Sequence, residues 1–361
     1  MKKTAIVLLV LVLAMLMSAC AGPGVIPTTE ESAPTNLEKG NSYNADMENA
    51  NNATKASTRI WPWENPNIKL PAFTGNVTAP GTIKSLKIIA VGDASARDAW
   101  YFFPQIAKEA GIEIKIAVLY RSGDIAAHSD ANNTYTHYEN TGDGWVTVST
   151  DAKQADVLKS EAWDYFVINQ SIAKSAKEDG YTALNGVLGA AKTALTAKNP
   201  NAKVLFMETW VYEVHNRNNL YNGLRDFGDT WNGDHAVIQA RMLEAHQNVT
   251  KSKVATCTNL SKVATNANSD GVIPVGTAVQ NMRGSYWSDG MTRESEFLSN
   301  TGKVLAAVTL FKSITGYDIN GMELSDSVFD HARPHLGVIK ESANNAYLHP
   351  YEVTSSVYDM D

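Results

Sequence analysis

The chain has 361 residues, of which 44% are apolar and 19% charged, and it carries a formal net charge of −7. This is ordinary globular composition, with length enough for one large domain. Nucleic acid is excluded as a partner, because phosphate binding needs clustered cations and the lysines and arginines here are scattered.

Lys2 and Lys3 open the chain, an apolar run follows from Ala5 to Met17, and Ser18 and Ala19 precede Cys20. The run is shorter than the ~20 residues that span a bilayer, and residues 1–19 read as a signal peptide. Met17-Ser-Ala-Cys20 resembles a lipobox, which implies lipidation of Cys20 and an extracytoplasmic chain anchored to a bacterial membrane. An ordinary secretory signal is the alternative. Cys257 is the other cysteine, so acylation of Cys20 leaves no intramolecular disulfide, and Cys257 is expected as a small buried apolar side chain.

Residues 20–57 are rich in Asn, Thr, Glu, Ala, Pro and Ser. They bury too little apolar surface to offset the entropy of ordering and read as a disordered tether. Residues 58–81, with Trp61, Trp63, Leu70, Pro71 and Phe73, read as an extended aromatic arm along the domain surface; carbohydrate stacking by the two tryptophans is the lesser alternative. The domain is expected over 82–361 with a C-terminal extension. Its apolar runs Leu86–Val91, Ile112–Leu119, Trp163–Ile168, Val204–Met207 and Val272–Val275 suit parallel strands buried on both faces. Helices are expected over Pro104–Ala110, Tyr181–Ala197, Asp234–Val249 and Asn300–Thr315, the last capped by Ser299 and stopped at Gly316. The alternation predicts a three-layer, doubly wound parallel α/β sheet in a single domain. Ligands in such sheets sit beyond the carboxyl ends of the strands, which draws attention to the residues after Gly92, Tyr120, Asn169 and Trp210.

Those strand ends carry recognisable blocks. Leu86 to Ala99 reads Leu-Lys-Ile-Ile-Ala-Val-Gly-Asp-Ala-Ser-Ala-Arg-Asp-Ala, with Phe103-Pro-Gln-Ile-Ala107 close behind. Leu119 to His128 reads Leu-Tyr-Arg-Ser-Gly-Asp-Ile-Ala-Ala-His, and Trp163-Asp-Tyr165 leads to Asn169-Gln170. Thr209, Trp210 and Tyr212 form a further block, and Pro274 to Asn281 reads Pro-Val-Gly-Thr-Ala-Val-Gln-Asn. In this order, over Leu86 to Gly316, they resemble the SGNH/GDSL hydrolases, in a bacterial branch labelled a domain of unknown function. The resemblance implies the flavodoxin-like fold of those enzymes.

It also implies a chemistry that the residues no longer support. The mechanism needs a serine after the first strand, a histidine to take its proton and an aspartate to orient that histidine. Aligning Asp98-Ala99 with the branch's Asp-Ala puts Ala94 in the nucleophile slot. The branch's Thr-Arg-Asp-Gly-x-His-Leu-Ser is Thr292-Arg-Glu-Ser-Glu-Phe-Leu-Ser299 here, so Phe297 replaces the base and Glu294 the aspartate. Losing nucleophile or base in a serine hydrolase costs ~10⁶ in turnover, about 8 kcal/mol. Gly123, Asn169 and Gln170 occupy the oxyanion slots, which implies a polar recess with N–H and amide donors.

Ser95 serves as nucleophile if the turn after Gly92 is shifted by one residue, and would then need a base. His128 is expected in a structural hydrogen bond, and His215, His235 and His246 as solvated. Glu294, Glu296 and Asp289 are expected on a solvated loop before a helix. Asn266-Ala-Asn-Ser-Asp-Gly271 opens like a calcium loop but has Thr277 where the twelfth-position glutamate belongs, so it reads as a turn. No metal site and no cofactor is expected. The functional expectation is a lipid-anchored, catalytically degenerate protein that binds a carbohydrate or acylated small molecule in the former active-site cleft. Its alternatives are an esterase or deacetylase using Ser95, and a structural or interaction lipoprotein.

Overall fold

The computed structural model describes residues 67–175, 178–211, 268–287, 290–293 and 296–359. The signal peptide, Cys20, Cys257, Trp61, Trp63 and the helix expected over Asp234–Val249 lie outside them.

Strands β1 (Ser85–Gly92), β2 (Glu113–Tyr120), β3 (Thr134–Asn140), β4 (Trp145–Lys153), β5 (Tyr165–Asn169), β6 (Lys203–Met207) and β7 (Gly271–Ile273) form one sheet in the order β4-β3-β2-β1-β5-β6-β7. Neighbours from β2 through β1, β5 and β6 to β7 are parallel. The expectation of a wholly parallel sheet is corrected at one edge, where β3 pairs antiparallel with both β2 and β4. The hairpin escaped the apolar-run criterion because its outer strand is solvated on one face, with Val146 and Val148 exposed. Its signal was period-two alternation about a turn that carries Gly142 and Gly144 at positive φ.

The continuous apolar runs have their physical cause in the two-sided burial of the sheet. Along β1, Leu86, Ile88 and Ala90 enter one core and Ile89 and Val91 the other. The first core lies under helices α1 (Ala94–Trp100), α2 (Phe103–Glu109), α5 (Val275–Arg283), α6 (Asn300–Thr315) and α7 (Leu336–Leu348). The second lies under α3 (Gln154–Ser160) and α4 (Leu184–Thr196). Val275, expected to end a strand, begins α5 instead, because Pro274 has no N–H to extend the ladder and sits at the helix N-cap.

Helix α6 runs through the middle of the first layer. The Ser299 hydroxyl accepts from Gly302 N at 3.2 Å at its start, and Gly316, at φ +68°, ends it. Residues 67–84 dock at that far end. Thr78 N–H donates to Gly316 O at 2.9 Å, and Asn320 Nδ2 donates to Pro71 O at 3.2 Å. The Lys312 side chain is fully buried and donates to Tyr317 O at 3.0 Å. Its ammonium sits 3.6 Å from the Phe73 ring centroid and 5.0 Å from that of Tyr347. The rings offset part of the cost of desolvating this charge, and burial lowers the lysine's pKa.

A Cβ on Gly316 would meet Thr78 Oγ1 at 2.7 Å and would add left-handed strain. Gly316→Ala is expected to lower stability by about 1–2 kcal/mol, read as a drop in the urea midpoint at unchanged slope.

Candidate functional site

A cleft of about 260 Å³ opens beyond the carboxyl ends of β1, β2 and β5, where sheets of this kind place ligands. After β1 it is lined by Asp93, Ala94 and Ser95, after β2 by Tyr120, Ser122 and Gly123, and after β5 by Ser171, Ile172 and Ala173. Glu296 and Phe297 close it from above, on the approach to the two-residue strand β9 (Phe297–Leu298), which pairs with β8 (Thr292–Arg293).

The turn after β1 is built around a helix cap. Asp93 is the N-cap of α1, and its Oδ1 accepts from Ser95 N at 3.0 Å and from Ser95 Oγ at 2.5 Å. Ser95 Oγ in turn accepts from Asn169 Nδ2 at 2.8 Å. Gly92 allows this approach, since a Cβ there would lie 2.2 Å from Asn169 Oδ1. Burial raises the Asp93 pKa against the opposing effect of the Ser95 and Asn169 hydrogen bonds.

The family-equivalent positions divide into two groups. Ala94, Gly123 and Phe297 line the cleft. Asn169 and Gln170 do not, which corrects the expectation of amide donors there. Asn169 is 2% exposed and Gln170 0%. The Asn169 amide is held by Ser95 and by Gln170 O at 3.0 Å. Gln170 donates to Gly180 O at 2.5 Å and accepts from Ile125 N and Ser171 N. It fastens the loops after β2 and β5 together. Gly123 has φ +132°, and a Cβ there would press on Ala127 at 2.7 Å.

Glu296, expected on a solvated loop, is half-buried in the cleft wall, its carbonyl accepting from Trp210 Nε1 at 2.8 Å. Its pKa is raised by burial and then by the charge of Asp93. Glu294 and Asp289 lie outside the described residues. Asp93 went unremarked in the sequence, although an acidic residue two positions before Ser95, at the end of a buried strand, has the form of an N-cap.

Asp98 lies behind the cleft. It accepts from Leu298 N at 2.9 Å and so pins β9 to α1. Burial raises its pKa, opposed by Lys303, Arg293 and Arg97, and Lys303 Nζ approaches it at 3.8 Å. The Arg293 guanidinium lies 5.2 Å from the Phe297 ring centroid and that of Arg97 5.3 Å from the Tyr120 ring.

Among the described residues no histidine lines the cleft. His128 is buried away from it, with Nδ1 3.3 Å from Tyr135 Oη. His215, His235 and His246 lie outside the described residues. Among the described residues no group of three His, Cys, Asp or Glu is placed to hold a metal ion.

Two outcomes follow. Ser95→Ala removes one hydrogen bond each from the buried groups of Asp93 and Asn169 and is expected to cost about 1–3 kcal/mol, measurable by urea unfolding. Burial, aided by Arg121, lowers the His128 pKa to about 4 from 6.5. The unfolded chain therefore takes up this proton first as pH falls. The stabilisation is whole above pH 6.5 and is lost between 6.5 and 4, on the order of 3 kcal/mol. The His128 imidazole resonances should titrate near 4, and His128→Gln should flatten the stability profile over that window.

The family description DUF4886, a domain of unknown function, matches residues 87–332. The chain is also similar to the crystal structure of a DUF4886 family protein from Bacteroides uniformis ATCC 8492, at 22% identity and a TM-score of 0.63, over 75% of this chain and 98% of that one. At that identity the likeness shows the fold. No curated protein matches the chain.

Proposed function

Taking as premise that the chain belongs to the DUF4886 family, we propose that it is a lipid-anchored extracytoplasmic protein with an SGNH hydrolase-like fold. On this reading it has lost the hydrolase's chemistry and binds a small polar ligand, a glycan or acylated sugar, in the cleft beyond β1, β2 and β5. The observation that carries the reading is that Ala94 and Phe297, which stand in the nucleophile and base slots of the resemblance, line the same cleft. A methyl group cannot attack a carbonyl and a phenyl ring cannot take a proton. Anchoring rests on Lys2, Lys3, the apolar leader and Cys20. No described helix is long and apolar enough to cross a membrane.

The esterase reading has one observation in its favour, the 2.5 Å contact between Ser95 Oγ and a carboxylate. The surroundings of that contact favour a structural role. Ser95 is 4% exposed, gives its proton to the cap of its own helix and receives an N–H from Asn169. Attack by this oxygen would break both contacts, and among the described residues no histidine lines the cleft to carry a proton to the leaving group.

Purified protein lacking its leader should hydrolyse 4-nitrophenyl acetate no faster than buffer, with Ser95→Ala indistinguishable from the parent. Turnover that this substitution abolishes would establish the esterase instead. Full-length protein should fractionate with membranes and Cys20→Ala should not; a substituted chain that stays in the membrane fraction sinks the anchor.

A further inference from the structure

The chemistry of the cleft walls goes further than "small and polar". Resting on the binding role just proposed, we infer that the cleft selects a ligand carrying a protonated amine, such as an amino sugar with a free ammonium group. Two carboxylates, Asp93 and Glu296, line it together with the rings of Tyr120 and Phe297. Carboxylates are acceptors only, with about four lone-pair sites each. At Asp93 the Ser95 N–H and O–H both fall on Oδ1, and the Asn169 amide and the residue's own N–H also bond the carboxylate, so every donor the protein supplies there is neutral and an ammonium would be the first to bring a charge.

The charge around these carboxylates is what a cation would meet. Glu296 is acted on by burial and by the negative charge of Asp93. Asp93 is acted on by burial and by hydrogen bonds. Lys303 approaches Asp98 at 3.8 Å, and Arg293 and Arg97, stacked on the Phe297 and Tyr120 rings, add their charge to that of the lysine. Asp98 is thus compensated by the protein, whereas bringing Asp93 and Glu296 together costs electrostatic energy that an ammonium ion would relieve. An anionic ligand would add a third negative charge to the same small volume. A hard metal cation is the weaker occupant, since calcium asks for six or more oxygen ligands and no group of three metal-binding residues is present among those described. Serine hydroxyls at Ser122 and Ser171 stand on two sides of the cleft to meet ring hydroxyls.

Glucosamine, glucose and glucuronate share one ring size and differ in charge, and chemical-shift titration of the purified domain reads each at millimolar concentration. Glucosamine is expected to bind at least tenfold more tightly than glucose, with glucuronate weakest. Glu296→Gln and Asp93→Asn, the latter keeping a competent helix cap, should each bring glucosamine to within threefold of glucose. Glucosamine affinity should also fall as pH drops through the carboxylate range, because protonation removes the attraction. Equal binding of glucosamine and glucose overturns the charge selectivity and leaves the binding role standing, and so does calcium that displaces glucosamine. Absence of shifts with all three sugars overturns both.

Discussion

The joint between β1 and β5 depends on one buried contact, the Asn169 amide reaching the Ser95 hydroxyl across a Gly92 that has no side chain to block it. Because the Ser95 hydroxyl donates in turn to Asp93, the three residues tie together the ends of two parallel strands and the start of α1. In a site closed to water a hydrogen-bonded group left without its partner is costly, so such a network holds a single arrangement. The floor of the cleft takes its shape from this arrangement, which puts Ala94 at the surface and keeps Ser95 beneath it. The hydroxyl of Ser95 is thus used for cohesion.

The same economy governs the acidic side chains. Asp98 and Asp93 are separated by little more than one turn of helix, both desolvated, yet one is surrounded by cations and the other by hydrogen-bond donors without net charge. The first fixes β9 and with it Phe297. The second borders the open space. A buried charge matched from within the protein is structural, and one matched only by neutral donors leaves a field for something else to neutralise.

Most of the architecture was legible in the sequence, since a strand buried on both faces must be apolar where it is buried, and β1, β2, β5 and β6 carry unbroken apolar runs at Ile88–Val91, Ile116–Leu119, Phe166–Ile168 and Val204–Met207. Helix α6 was legible to the residue because Ser299 and Gly316 mark its ends by hydrogen bonding and by backbone conformation. The β3–β4 hairpin was not, because alternating polar and β-branched residues are weaker signals than continuous apolar ones. The cleft was legible as a place, at the ends of named strands, but not as a set of side-chain directions. Nothing in the order of residues shows that Asn169 and Gln170 turn inward while Glu296, surrounded by other polar residues in sequence, turns toward Asp93. Those directions are fixed by long-range contacts, Trp210 across 86 positions and Asp98 across 200, that hold the segment carrying Glu296 and Phe297.

The docking of residues 67–84 has a geometric consequence. They clasp the C-terminal end of α6, through Thr78 at Gly316 and Phe73 over Lys312, and then enter β1 at its amino end. The cleft opens at the opposite pole, beyond the carboxyl ends of the parallel strands. A pull applied at residue 67 would therefore load the Thr78 clasp before it reached the cleft. Under the proposed anchoring, a tether joined at residue 67 would leave the mouth of the cleft at the end of the domain farthest from its point of attachment.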